Sequence, residues 1–154
     1  MPQWCIGGGV ELALCCDLRI AAKEAKFLAA GVNIGLIATA YRLPQVVGLG
    51  RAKQILLTGQ SLDSDEAKTI GLISAHHPRE KLGEAAVTLA KTIAQKAPLA
   101  LQATKKIANR AFGWERNQGL TYQQNALEAL AKTEDYQIAL RAFIKKESPS
   151  FKGL

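Results

Sequence analysis

The sequence predicts an α/β protein with one main core, in which residues 1–79 mix short strands with helices and residues 80–154 are helical. Three observations lead there. From Lys81 onward, apolar residues recur at the helical spacing of about 3.6, whereas earlier apolar runs are short and broken by turn residues. Three consecutive glycines, Gly7-Gly8-Gly9, run into an apolar stretch that has the length of a helix. A chain of 154 residues, 48% hydrophobic and 21% charged, can bury one sizeable core and does not have the composition of a disordered segment.

Taken in order, Met1 to Ile6 reach the glycines with no strand or helix expected before them. Val10 to Cys16 is apolar except for Glu11 and reads as a helix buried nearly all round. A carboxylate in such a helix must be paired or have a role, because burying an unpaired charge is costly. Leu18–Ala22 and Ala25–Leu28 read as short strands, with Lys23-Glu24 as the turn between them. Gly31–Ile37 reads as a loop and Tyr41–Val47 as a short helix. Arg51–Thr58 is a helix stopped by Gly59, and the capping residues of 61–66 introduce another over Glu66–Ile70, closed by Gly71. Leu72–His76 reads as a strand, with His76 and His77 as surface residues at its end. Four helices follow, over Lys81–Lys96, Pro98–Phe112, Leu120–Ala131 and Glu134–Lys146. Their apolar stripes include Leu82, Leu89 and Ile93, then Leu120 and Leu127, then Tyr136, Leu140 and Phe143. The stretch 148–154 is a tail.

The net charge of +7 is interleaved along the later helices, which suits a solvated surface as well as a polyanionic partner. Nucleic-acid binding is set aside, since aromatics are few and no recognition signature is present. Cys5, Cys15 and Cys16 carry no metal-ligand spacing, so no metal is expected; they read as reduced core thiols of a cytoplasmic protein. Neither a signal peptide nor a membrane span is expected.

The glycine run carries the most chemistry and admits two readings. One is a tight turn packed under a buried helix. The other is a place where first-turn amides receive an anion, or an oxygen that becomes anionic during reaction, with Glu11 one turn further on.

The stretch Gly7-Gly8-Gly9-Val10-Glu11-Leu12-Ala13-Leu14-Cys15-Cys16-Asp17-Leu18-Arg19-Ile20-Ala21 resembles the crotonase family, the enoyl-CoA hydratases and isomerases. Ala25-Lys26-Phe27, Gly35-Leu36, Arg42-Leu43-Pro44, Leu57-Thr58-Gly59, Gly71-Leu72-Ile73 and Ala142-Phe143-Ile144-Lys145-Lys146 follow in the family's order. The resemblance covers roughly the second half of a full-length member. It implies a partial crotonase-like ββα spiral followed by a C-terminal helical trimerisation region, forming a homotrimer or a dimer of trimers. The implied ligand is an acyl-CoA thioester, with coenzyme A entering as part of the substrate and no permanently bound cofactor. Gly8 aligns with an amide that polarises the thioester carbonyl, and Glu11 with a glutamate that holds or activates water. Gly7, Gly9, Gly31, Asn33, Phe143 and Lys146 join them as implied substrate-binding positions; surface solvation is an equal reading for Lys146.

Two departures accompany the resemblance. Gly31 stands where a second family glutamate falls, and Asn33 nearby cannot carry a proton in acid–base work. The first half of a full-length member has no counterpart here. The expected activity is hydration of 2-enoyl-CoA. The alternative is a non-catalytic truncated relative, or an assembly subunit paired with a full-length partner of the same family.

Overall fold

The computed structural model describes residues 3–154; Met1 and Pro2 lie outside the described residues. The chain divides into two compact units, one ending at Val87 and one comprising Thr88–Leu154.

In the first unit, β1 (Trp4–Ile6) runs parallel to β3 (Lys26–Leu28), with Cys5 opposite Phe27. On its other side β3 pairs antiparallel with β4 (Ser61–Leu62), so β1 is an edge strand of a three-stranded sheet. A separate parallel pair joins β2 (Ile20–Ala22) to β5 (Ala75–His77). Strand alternation buries Cys5 and turns Trp4 and Ile6 outward. The crossover α1 (Gly8–Leu14) presents Val10 and Leu14, one helical turn apart, to a core that includes Phe27, Leu43, Ile55 and Ile73. Fully buried Ala21, Ala22, Ala52 and Ala67 mark places where backbones approach closely.

Several expectations need correction. The segment before the glycines is a strand, because Trp4–Ile6 finds its ladder partner in β3, which lies beyond α1 in the chain. The helix α1 is buried on one stripe and not all round: Leu12 is 70% exposed. Leu72 and Ile73 do not belong to a strand; their amides both donate to Ala67 O, at 2.8 and 3.2 Å, and finish α4 (Ser64–Thr69). That helix starts at Ser64, with a capping box between Asp63 and Glu66. Arg42–Val47 (α2) and Leu49–Thr58 (α3) form the intervening helices, and Gly31–Ile34 is a 3-10 turn where a loop was expected. All three cysteines are free, but only Cys5 is a core thiol; Cys15 and Cys16 follow the end of α1 and are exposed. Burial pushes the Cys5 thiol up from its ordinary pKa, which keeps it protonated and inert.

The second unit is helical. It takes in the end of α5 (Leu82–Ala94), then α6 (Pro98–Arg110), α7 (Arg116–Leu130) and α8 (Glu134–Lys145). Proline at the start of α6 costs no hydrogen bond, since the first amides of a helix have no partner within it. Across the α6–α7 connection, Trp114 and Tyr122 lie 4.9 Å apart, with Arg110 over the first ring and Lys106 over the second. The tail folds back on α8. Buried Asp135 accepts from Lys152 N at 2.7 Å and Gly153 N at 2.9 Å, while its own amide donates to Leu154 O. Leu120 and Leu127 of α7, and Phe143 and Ile144 of α8, are exposed; their apolar stripes are not covered within the described chain.

Candidate functional site

The glycine run sits where β1 hands over to α1. Gly7 N donates to Leu28 O at 2.9 Å, which extends the β1–β3 pairing by one residue. Gly7 then turns with φ 48° and ψ −109°, a conformation open to glycine for want of a Cβ. Its carbonyl accepts from Glu11 N at 3.1 Å and closes the first turn. Gly8 is the first residue of α1, so its amide has no acceptor inside the helix, and no acceptor among the described residues is bonded to it.

Backbone conformation accounts for only one of these glycines, and packing for none. A Cβ on Gly8 would meet nothing within 4 Å, and one on Gly9 would make ordinary contact with Cys5 Sγ at 3.6 Å. Gly7 is required by its backbone, whereas Gly8 and Gly9 are bare toward solvent.

Glu11 lies three residues after Gly8, the spacing that puts two positions on the same side of a helix. The carboxylate is half-exposed and paired: Arg42 Nε donates to Glu11 Oε1 at 3.0 Å, with side-chain exposures of 45% and 42%. Glu11 was expected in a buried setting, either paired or with a role; it is paired, but half-exposed. Arg42 is the site residue that sequence reasoning missed. It stood in a quoted motif, yet no local periodicity connects it to a residue 31 positions away.

Gly31 and Asn33 lie together on the 3-10 turn. Gly31 is buried, and a Cβ there would come within 2.7 Å of both Ala38 N and Leu36 O. This backbone has no room for a side chain at that position, so Gly31 can offer a ligand only its main chain. Asn33 is already engaged, its Nδ2 donating to Gly59 O at 2.9 Å where α3 ends in a left-handed cap. Phe143 and Lys146 belong to the second unit; Phe143 is 84% exposed, and Lys146 caps α8 with φ 57°.

Elsewhere, His76 Nε2 lies 3.1 Å from Asp65 Oδ1. Among the described residues, no group of three or more His, Cys, Asp or Glu could hold a metal ion, and no helix is long and apolar enough to cross a membrane. A cavity of about 370 Å³ in the second unit, lined by Ile93, Lys96, Leu101 and Phe151 among others, holds none of the candidate site residues.

Comparison with known proteins places the chain in a family. The family model described as enoyl-CoA hydratase/isomerase matches residues 3–154. A "probable enoyl-CoA hydratase" of Mycobacterium bovis is 35% identical over 151 residues, covering 96% of this chain and 59% of that protein. A short-chain-enoyl-CoA hydratase of Clostridium acetobutylicum is 35% identical over 144 residues, covering 92% of this chain and 55% of its own length. The crystal structure of an enoyl-CoA hydratase from Bacillus anthracis superposes with a TM-score of 0.94 at 34% identity, over 98% of this chain and 60% of the other. The chain thus spans about three fifths of the length of the relatives it matches. With the motifs in order, the match running from Gln3 to the last residue and the backbone shared, the chain belongs to the enoyl-CoA hydratase/isomerase family and has its mixed α/β, helix-rich crotonase fold.

Proposed function

We propose that this chain acts on acyl-CoA thioesters and adds water across the double bond of a 2-enoyl-CoA. The observation that carries the reading is the juxtaposition on α1: an amide at Gly8 with no bonded acceptor, and a carboxylate at Glu11 three residues on. In this mechanism the Gly8 N–H polarises the thioester carbonyl. Glu11 takes a proton from water as the oxygen adds to the β-carbon, and the electron pair of the double bond moves onto the thioester oxygen as an enolate. Backbone donors matter most at that moment, because the charge develops where they already point. The enolate collapses as a proton reaches the α-carbon, so one water is added in all. With no room for a side chain at Gly31, the protonated Glu11 is the group that returns the proton.

The bare Gly8 and Gly9 support this reading, since a backbone that a ligand must approach closely has reason to lack side chains. Gly7, Gly31 and Asn33 then shape the turn walls around the acyl group. The chain corresponds to roughly the second half of a full-length member, and its helical C-terminal region forms a trimer. Phe143 and Lys146 there meet the nucleotide portion of coenzyme A bound to a neighbouring subunit. The exposed apolar stripes of α7 and α8 support the trimer, because a stable monomer rarely leaves so many large side chains uncovered.

The test is hydration of crotonyl-CoA by the purified chain. Glu11→Gln should lower kcat by about 10²–10⁴-fold, the range for loss of a general acid–base group. Turnover unchanged by that substitution removes Glu11 from the mechanism, and no turnover by the unaltered chain overturns the activity.

A further inference from the structure

We propose that Arg42 is a positioning residue for Glu11: it fixes one carboxylate oxygen and leaves the other as the working atom. The inference rests on the hydratase reading and adds a residue to it. Arg42 Nε donates to Oε1 at 3.0 Å, while no hydrogen bond is made to Oε2 by the described residues. A glutamate this exposed otherwise samples several rotamers, and a carboxylate serving as base and then as acid must meet both atoms in one geometry. Gly31 sharpens the need. With a side chain excluded there, no acid can work from that position.

The backbone behind Arg42 is set to hold it in place. Arg42 is the first residue of α2, and the next residue, Leu43, is buried in the core that also takes Val10 and Leu14 of α1. The guanidinium therefore starts from a helix keyed to the one that carries Glu11. The turn into α2 passes through Thr39, a buried β-branched residue with φ 57°, whose carbonyl accepts from Leu43 N at 3.0 Å. A β-branched residue in that region is strained, and such strain persists only where the surroundings over-determine it. A half-exposed ion pair adds little to folding, so orientation is the function left for this one.

The test is a double-substitution cycle on crotonyl-CoA hydration, with an NMR readout of the pair itself. Arg42→Leu should lower kcat about tenfold or more with KM within about twofold, and Arg42→Lys should recover part of the loss. In a Glu11→Ala background, adding Arg42→Leu should cost nothing further, because an absent carboxylate cannot be positioned. An equal loss in both backgrounds, or a loss confined to KM, overturns the proposal. Independently of turnover, the Arg42 Nε–H resonance should be slow to exchange in the unaltered chain and fast in Glu11→Ala; fast exchange in both also overturns it. A chain that keeps the slow resonance yet hydrates nothing overturns the hydratase reading and the catalytic purpose of the pair, leaving only the pairing.

Discussion

Gly31 and Gly59 are adjacent in space through Asn33, and each lacks a side chain for a different reason. At Gly59 the backbone is left-handed, and a Cβ would land on the Asn33 side chain. At Gly31 the obstacle is main chain on the far side of the turn, which cannot swing away. Gly31→Ala is therefore expected to destabilise the chain by about 2 kcal/mol, the cost of forcing extra volume into a packed place. Thermal or urea unfolding measures it, and an unchanged midpoint sinks the steric account. The sequence marked Gly31 as an absent acid, a statement about chemistry. That the position is sterically closed depends on Leu36 and Ala38 folding back over it, which no reading of 31–34 contains.

At the scale of elements, a capped helix start was legible, and so were the strands marked by a run of apolar residues. The capping residues before Glu66 announced α4, and the structure adds that Asp63 and Glu66 each take the other's backbone amide, at 2.8 and 2.9 Å. Asp63→Ala should cost about 1 kcal/mol, typical for losing a side-chain cap, read by chemical denaturation. The tail offers a second case. Asp135 is buried and both of its oxygens accept main-chain amides of 152 and 153. Asn in its place has one acceptor oxygen for two donors. Asp135→Asn should thus cost about 1–3 kcal/mol, the penalty for a buried donor left unpaired. Hydrogen exchange at the Lys152 and Gly153 amides should quicken, and unchanged protection there would show that other contacts hold the tail. β2 and β3 fall inside the runs 18–22 and 25–28 read as strands from the sequence, whereas β1 and β4, of three and two residues, are too short to show alternation. Their identity comes from a partner such as Phe27 for Cys5, reached only after the chain has passed through α1.

For the molecule as a whole, the trimer proposed above carries the remaining prediction. Sedimentation or light scattering of the purified chain should give three times the 16.6 kDa monomer mass or a multiple of that trimer. Phe143→Glu, which places a charge on an 84% exposed apolar position of α8, should dissociate it. A monomer that remains soluble at high concentration would falsify the oligomeric reading and leave the exposed leucines of α7 unexplained.

Residue order was enough to establish the family and the helical second half, and to single out Gly8 and Glu11 as candidates. Helical periodicity, caps and motif order are local properties, complete within a short window of chain. The rest came with folding: the edge strand before the glycines, the outward face of α1, the closure over Gly31, and the guanidinium of Arg42 at Glu11. Each of these joins residues separated by an intervening turn or element, and their meeting is set by how those pieces pack.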